Sequence, residues 1–176
     1  MAKILFGAAF ILTCSARTAS VLSLRAHIDA GVAYLQMGNL EDAVAHFEHG
    51  LNEDDEETAA HDRISALLNL GCALSQLGHH AKAIAALNSA LALCKSTTAP
   101  AVIIGPVQFN LAIALEDERK AAGEAPDENC VEMYRWAIHN GVHAARLNLG
   151  LLLESLSRTE EALRVYGRAA YEDPQK

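Results

Sequence analysis

LNLG occupies residues 68–71, the same four letters return at 147–150, and a near copy, FNLA, stands at 109–112. Aligning the chain on the small fourth residue, and adding Gly31, gives anchors at Gly31, Gly71, Ala112 and Gly150, spaced by 40, 41 and 38 residues. An apolar residue follows each anchor one helical turn later: Tyr34, Leu74, Leu115 and Leu153. Turn-forming residues come next, at Gly38-Asn39, Gly78-His79, Gly123 to Pro126, and Ser157-Arg158. A second apolar stripe then begins: Ala43, Phe47, Leu51; Ala83, Leu87, Leu91; Cys130, Tyr134, Ile138; Ala162, Tyr166, Ala169. Steps of three and four put the members of each set on one helix face. Each unit therefore predicts two antiparallel helices joined by a short turn. One such pair cannot bury its own stripe, so the units must stack, and this is why the phrase repeats.

Composition and punctuation agree. Apolar residues make up 51% of the 176-residue chain, yet aromatics only 5%, because Ala and Leu dominate. Both are strong helix formers, whereas strands favour β-branched and aromatic residues. Ser157 with Glu160 spells a capping box, and Asn39 with Asp42 a looser one. Gly123 suits a left-handed helix end, and Pro126 the first turn of the next helix. The fold class expected is all-α.

The stretch LNLGLLLESLSRTEEALRVYGRAAYEDP, 147–174, resembles a tetratricopeptide repeat (TPR), with Leu149-Gly150, Leu153, Ala162, Tyr166, Ala169 and Pro174 at the family's positions. LQMGNLEDAVAHFEHGL (35–51) and LSQLGHHAKAIAALNSAL (74–91) match almost as well. The third unit carries about six extra residues within DERKAAGEAPDEN (117–129) and, with MYRWAIHNGVHAARLNLG (133–150), is similar to SEL-type (SLR) repeats. The resemblance covers 24–176, with repeats near 24–57, 64–97, 105–142 and 143–176. It implies an α-solenoid of about four helix-turn-helix repeats wound into a right-handed superhelix.

It also implies that the leading helices, 24–37, 64–77, 106–122 and 143–156, line the concave wall. Two residues before each anchor this wall holds Asp29, Asn69, Asn110 and Asn148. A carboxamide donates and accepts, so a column of them fits the backbone of an extended peptide. Some TPR proteins, including O-linked N-acetylglucosamine transferases, use such an asparagine ladder. The alternative is that these residues sit on a wet helix face or brace the neighbouring repeat. The row preceding each rung is apolar (Ile28, Leu68, Phe109, Leu147), as is a row one turn on (Val32, Cys72, Ile113, Leu151). These rows either form a greasy groove or belong to the core. Glu116, Asp117 and Glu154 would make an acidic rim. The Lys and Arg by which chaperone-binding TPR domains clamp an acidic C-terminus are missing, Arg25 being the one candidate cation. An apolar or basic peptide is the expected ligand.

A formal charge of −8 argues against nucleic acid or anionic membrane as partner. Residues 1–23 form a separate segment: Lys3, the apolar run 4–12 and the small residues Cys14 and Ala16 have the form of a signal or transit peptide. The run is too short to span a membrane. The segment is either a targeting peptide, which places the protein in the secretory pathway or an organelle, or a helix packed on the first repeat of a cytoplasmic protein. Cys14, Cys72, Cys94 and Cys130 form no C-x-x-C pair and are expected as reduced thiols. His46 and His49, and His139 and His143, are too few in each place to hold a metal, and EDDEE (53–57) lacks the spacing of a calcium loop. No phosphate loop, G-x-S-x-G or H-E-x-x-H is present, so no catalytic residue and no cofactor is expected. Three functions follow: an adaptor binding a peptide or partner helix, a module self-associating through its last repeat, or a fragment of a TPR-bearing glycosyltransferase.

Overall fold

The computed structural model describes residues 24–53 and 59–172, with side chains as far as Gly167. Four leading helices, α1 (24–36), α3 (Ala60–Gln76), α5 (Ala101–Ala121) and α7 (Ala145–Ser155), alternate with four trailing ones. The trailing helices are α2 (Leu40–Glu53), α4 (His80–Ser96), α6 (Glu128–His139) and α8 (Thr159–Glu172). From α2 to α8 each helix packs on the next, and α3 also lies directly against α5. Contacts that run along the chain in this way make an all-α solenoid, as expected. The segment 1–23 with Cys14, the acidic residues after Glu53, the side chains of Ala169, Ala170 and Tyr171, and Pro174 lie outside the described residues.

The anchors work through close approach. A Cβ on Gly31 would lie 2.5 Å from Phe47 Cε1, and one on Gly71 2.5 Å from Leu87 Cγ. One on Gly150 would run into the Tyr166 ring. Each partner stands sixteen residues after its glycine, at the centre of the trailing stripe. In the third unit Ala112, fully buried, takes the anchor position, and the insertion moves the matching aromatic to Tyr134. Phe47, Leu87 and Tyr134 are almost fully buried, so each contributes close to its full side-chain area to the core. Phe47 and Leu87 centre one core running from α2 to α5, while Tyr134, Leu149 and Leu153 centre a second from α5 to α8. Leu115 and Met133 touch both, so the layer is continuous.

All six described turns stop their helix in the same way. The second residue after the helix takes a left-handed conformation, and the next N–H reaches back five residues. Asn39 N–H donates to Tyr34 O (2.9 Å), His79 to Leu74 (2.8 Å), Ala99 to Cys94 (2.9 Å), and the other three turns repeat the bond. This is the Schellman closure, which satisfies carbonyls the helix leaves open. Gly38, Gly78, Gly123 and Gly141 supply the positive φ at four turns, but Thr98 (50°) and Ser157 (59°) do so at the others.

Three expectations about helix ends need correction. Ser157 does not cap α8: it ends α7, its own N–H bonding Glu154 O at 2.9 Å, and Arg158 O accepts the first bonds of α8. Pro126 stands before the cap of α6, which is Asp127, whose carboxylate accepts from Cys130 N–H at 3.2 Å. α5 begins at Ala101 and carries Pro106 inside it. In the long third turn Arg119 grips Glu124 (3.1 Å) and Asp127 (2.5 Å), closing the extra residues into a clasp. Between α6 and α8, Arg158 bonds Glu161 through two nitrogens at 2.8 Å and Glu128 at 2.6 Å, and Arg135 joins the same two carboxylates.

Candidate functional site

The rungs fall on consecutive leading helices, as the register requires, but their surroundings differ. The Asp29 carboxylate, 71% exposed, lies 3.7 Å from Arg25, whose other side bonds Asp62 at 2.8 Å. That cation is therefore engaged within the first two repeats. Asn69 is half-buried on α3. Asn110 spends one amide hydrogen on Pro106 O, at 2.9 Å. Asn148 lies beside the hydroxyl of Tyr134, which donates to Glu116 at 2.8 Å. Burial, reinforced by the Glu116 charge, pushes the Tyr134 phenol well above its usual range, so it stays a donor. Asn110 thus braces its own helix, and Asn148 faces the Tyr134–Glu116 pair of the preceding repeat. Each has two N–H donors and an acceptor oxygen, so a single intramolecular bond leaves capacity for a ligand.

The apolar rows divide between core and surface. Ile28 needs correction: it is 6% exposed, packed with Leu24 and Ala66, because the first leading helix turns this residue onto its neighbour α3. Val32, Leu68, Phe109 and Ile113 are half-buried, with one side on the core. Leu147 and Leu151, one turn apart on α7, are 60% and 54% exposed. Where α3 and α5 meet, a crevice of about 260 Å³ is lined by Gly71, Cys72, Ser75, Gln76, Asn110, Ile113 and Asp117. It puts one rung, two apolar row members (Cys72 and Ile113) and one acidic rim residue side by side.

Burial raises the pKa of all three described thiols, Cys72 to about 11, and the three are free. They behave as small core residues and not as nucleophiles. No described helix is long and apolar enough to cross a membrane.

Sequence spacing missed one cluster. His27 on α1 meets His46 and His49 on α2: its Nδ1 is 3.1 Å from His46 Nδ1, and its ring is edge-on to His49 with centroids 4.6 Å apart. Glu53 lies 3.3 Å from His49 and 4.0 Å from His27. Burial and the two neighbouring imidazoles hold the His27 pKa below its usual value. No linear motif joins residues on separate helices. Gly50 was the available sign, since a Cβ there would stand 2.8 Å from His27 Cβ. His139 and His143 are separated by the left-handed Gly141.

Residues 22–96 and 145–176 each match a family model described as Tetratricopeptide repeat. Curated protein sequences yield no match. Among solved structures, the crystal structure of MamA superposes with a TM-score of 0.68 at 22% identity, covering 86% of this chain and 78% of that one. BtubC (BKLC) from P. vanneervenii gives 0.41 at 13% identity, covering 89% and 88%. MamA from Desulfovibrio magneticus RS-1, residue 41 to the end, gives 0.35 at 14% identity, covering 88% and 97%. The first of these likenesses shows the same solenoid fold. With repeated anchors, helix pairs stacked in line and two family matches that together span more than half of its length, the chain belongs to the tetratricopeptide repeat family and is a protein-interaction module.

Proposed function

We propose that the chain is a non-enzymatic scaffold that binds an extended peptide or partner helix along its leading-helix wall. The observation that carries this is the recurrence of one polar rung per repeat, Asn69, Asn110 and Asn148, flanked by apolar residues that are not fully buried. A contiguous apolar strip on a soluble repeat array marks a binding surface. Val32, Leu68, Phe109, Ile113, Leu147 and Leu151 supply that strip, and the carboxamides orient the ligand backbone. Direct packing of α3 on α5 brings the leading helices closer than a hairpin alone requires, which favours their lining the inner side of the curve. The ligand is apolar or basic, matching Asp29, Asp117 and Glu154 along the edge.

The test pans a displayed random-peptide library against the full chain and measures selected peptides by fluorescence anisotropy. Replacing Asn69, Asn110 and Asn148 together by Ala is expected to weaken them at least about tenfold, the loss of two or more ligand hydrogen bonds. Asn69→Ala alone, which leaves the Asn110–Pro106 bond in place, controls for stability. Unchanged affinity in the triple variant rejects the ladder.

A second reading has its own observation. Leu147, Leu151 and Leu163, the last 63% exposed, are apolar and uncovered on the fourth repeat. An exposed apolar patch of this kind packs readily against a second copy. Self-association through it would make the mass from light scattering rise with concentration, and Leu147→Glu with Leu151→Glu would abolish the rise. A constant monomer mass removes this reading.

A further inference from the structure

Phe47 on Gly31 makes the crossing of the first hairpin, and the same hairpin carries the histidine cluster. One donor atom each from His27, His49 and Glu53 lies within 4.8 Å of the other two. His49 Nε2 and His27 Nε2 approach the same Glu53 oxygen to 3.3 and 4.0 Å. Ligand atoms around one tetrahedral ion at ordinary zinc bond lengths stand about 3.3 Å apart, so small turns of exposed side chains close the set. His49 and Glu53 are four apart on α2 and share its face, while His27 arrives from α1. Two ligands from one helix hold an ion weakly, and the third from a second helix makes a convergent site.

The surroundings are built to aim His27. A ligating imidazole needs its other nitrogen fixed by a partner. With the proton on His27 Nδ1 donated to His46 Nδ1 at 3.1 Å, the Nε2 lone pair points to the cluster. The His46 ring is stacked on Tyr34, with centroids 5.1 Å apart and planes 19° from parallel. Gly50 makes room for the whole arrangement, since a methyl group there would meet His27 Cβ.

We propose that His27, His49 and Glu53 form a site for a divalent transition-metal ion of the zinc class, with a fourth position open to water. Two imidazoles and one carboxylate select a borderline ion over calcium or magnesium, which prefer oxygen donors. The ion would staple α1 to α2. Because α1 also carries Asp29 and Val32, loading would stiffen the first end of the wall. The site stands whether or not the wall binds a peptide.

The experiment titrates cobalt(II) into the full chain, reduced and freed of metal by chelation, and then displaces it with zinc. One cobalt per chain with the visible absorption of a low-coordinate nitrogen-oxygen site is expected, together with a higher Tm in stoichiometric zinc. His49→Gln and Glu53→Gln, both exposed and neutral to the fold by circular dichroism, should each weaken binding about tenfold or more. His46→Ala should weaken it less, as a positioning residue. His139→Ala, on α6, should leave it unchanged. Cobalt affinity unaltered by His49→Gln and Glu53→Gln, or an absence of saturable binding to the unaltered chain, overturns the assignment.

Discussion

Gly71→Ala isolates the close approach on which each hairpin rests. In an exposed helix interior this exchange stabilises by about 0.5–1 kcal/mol, because glycine loses more backbone freedom on folding. Here the added Cβ meets Leu87 Cγ at 2.5 Å and its two methyl carbons at 2.9 and 3.1 Å. Cγ is one bond from the Leu87 stem and cannot swing aside, so α3 and α4 must separate or Leu87 must leave its rotamer. Overpacking of that kind costs about 1–3 kcal/mol, leaving a net loss of about 1–2 kcal/mol. Gly167→Ala is the internal control: a Cβ there finds nothing within 4 Å. It should raise stability by the full propensity gain of about 0.5–1 kcal/mol. The two variants, followed by urea unfolding with circular dichroism, should therefore move in opposite directions, and Tm should shift by about 2–4 °C per kcal/mol. If Gly71→Ala matches or exceeds the parent, the crossing is looser than described and the explanation of the repeated glycine fails.

Lowering the pH from near 7.5 to near 5 should destabilise the first repeat through His27. Its folded pKa is depressed by burial and by His49 and His46, against a smaller opposing pull from Glu53, so the unfolded chain takes up the proton first. That contribution is complete above the ordinary histidine value and is lost as pH falls toward the folded one. His27→Gln should flatten this part of the Tm profile, and an identical slope in the variant refutes it. Tyr134→Phe deletes the hydrogen bond to Glu116 and should cost about 1–3 kcal/mol in urea unfolding, as for a hydrogen bond to a charged group. A neutral effect would show that this bond contributes nothing to the third hairpin. In a Cys14→Ser background the described thiols should react slowly with a disulfide reagent. With the Cys72 pKa near 11, only about one Cys72 in a thousand is thiolate at pH 8. Reaction as fast as in urea would contradict the burial.

Much of the fold was legible because its determinants are local. Gly31, Gly71 and Gly150 and their partners sixteen residues on are periodic in the chain, and Gly38, Gly78 and Gly123 mark left-handed helix ends that other residues adopt at a cost. Ser157 misled because Ser-x-x-Glu is a start signal by composition, while the chain there needed a stop like its three counterparts. The third leading helix, expected from 106, reaches back to Ala101, because the repeat register marks the helix face and not its first turn. The wall was harder. An apolar residue on a leading helix faces either the groove or the next repeat, and Ile28 and Leu147 occupy equivalent positions with opposite exposure. Nothing in the sequence reports that Asn148 meets Tyr134, because those partners come from different repeats. His27 was invisible because its partners stand on the other helix of its hairpin, at no fixed spacing along the chain.

The shared way in which six helices stop has a kinetic corollary. Every hairpin carries its own terminator and its own knob sixteen to twenty-two residues away, so no contact essential to one hairpin waits for a distant part of the chain. Such low contact order lets folding nucleate in any repeat and spread outward, on timescales nearer to those of helical bundles than of β-sandwiches. Opening runs the same way in reverse, fraying from an outer hairpin while the middle persists, so the molecule can shed one end without surrendering the rest.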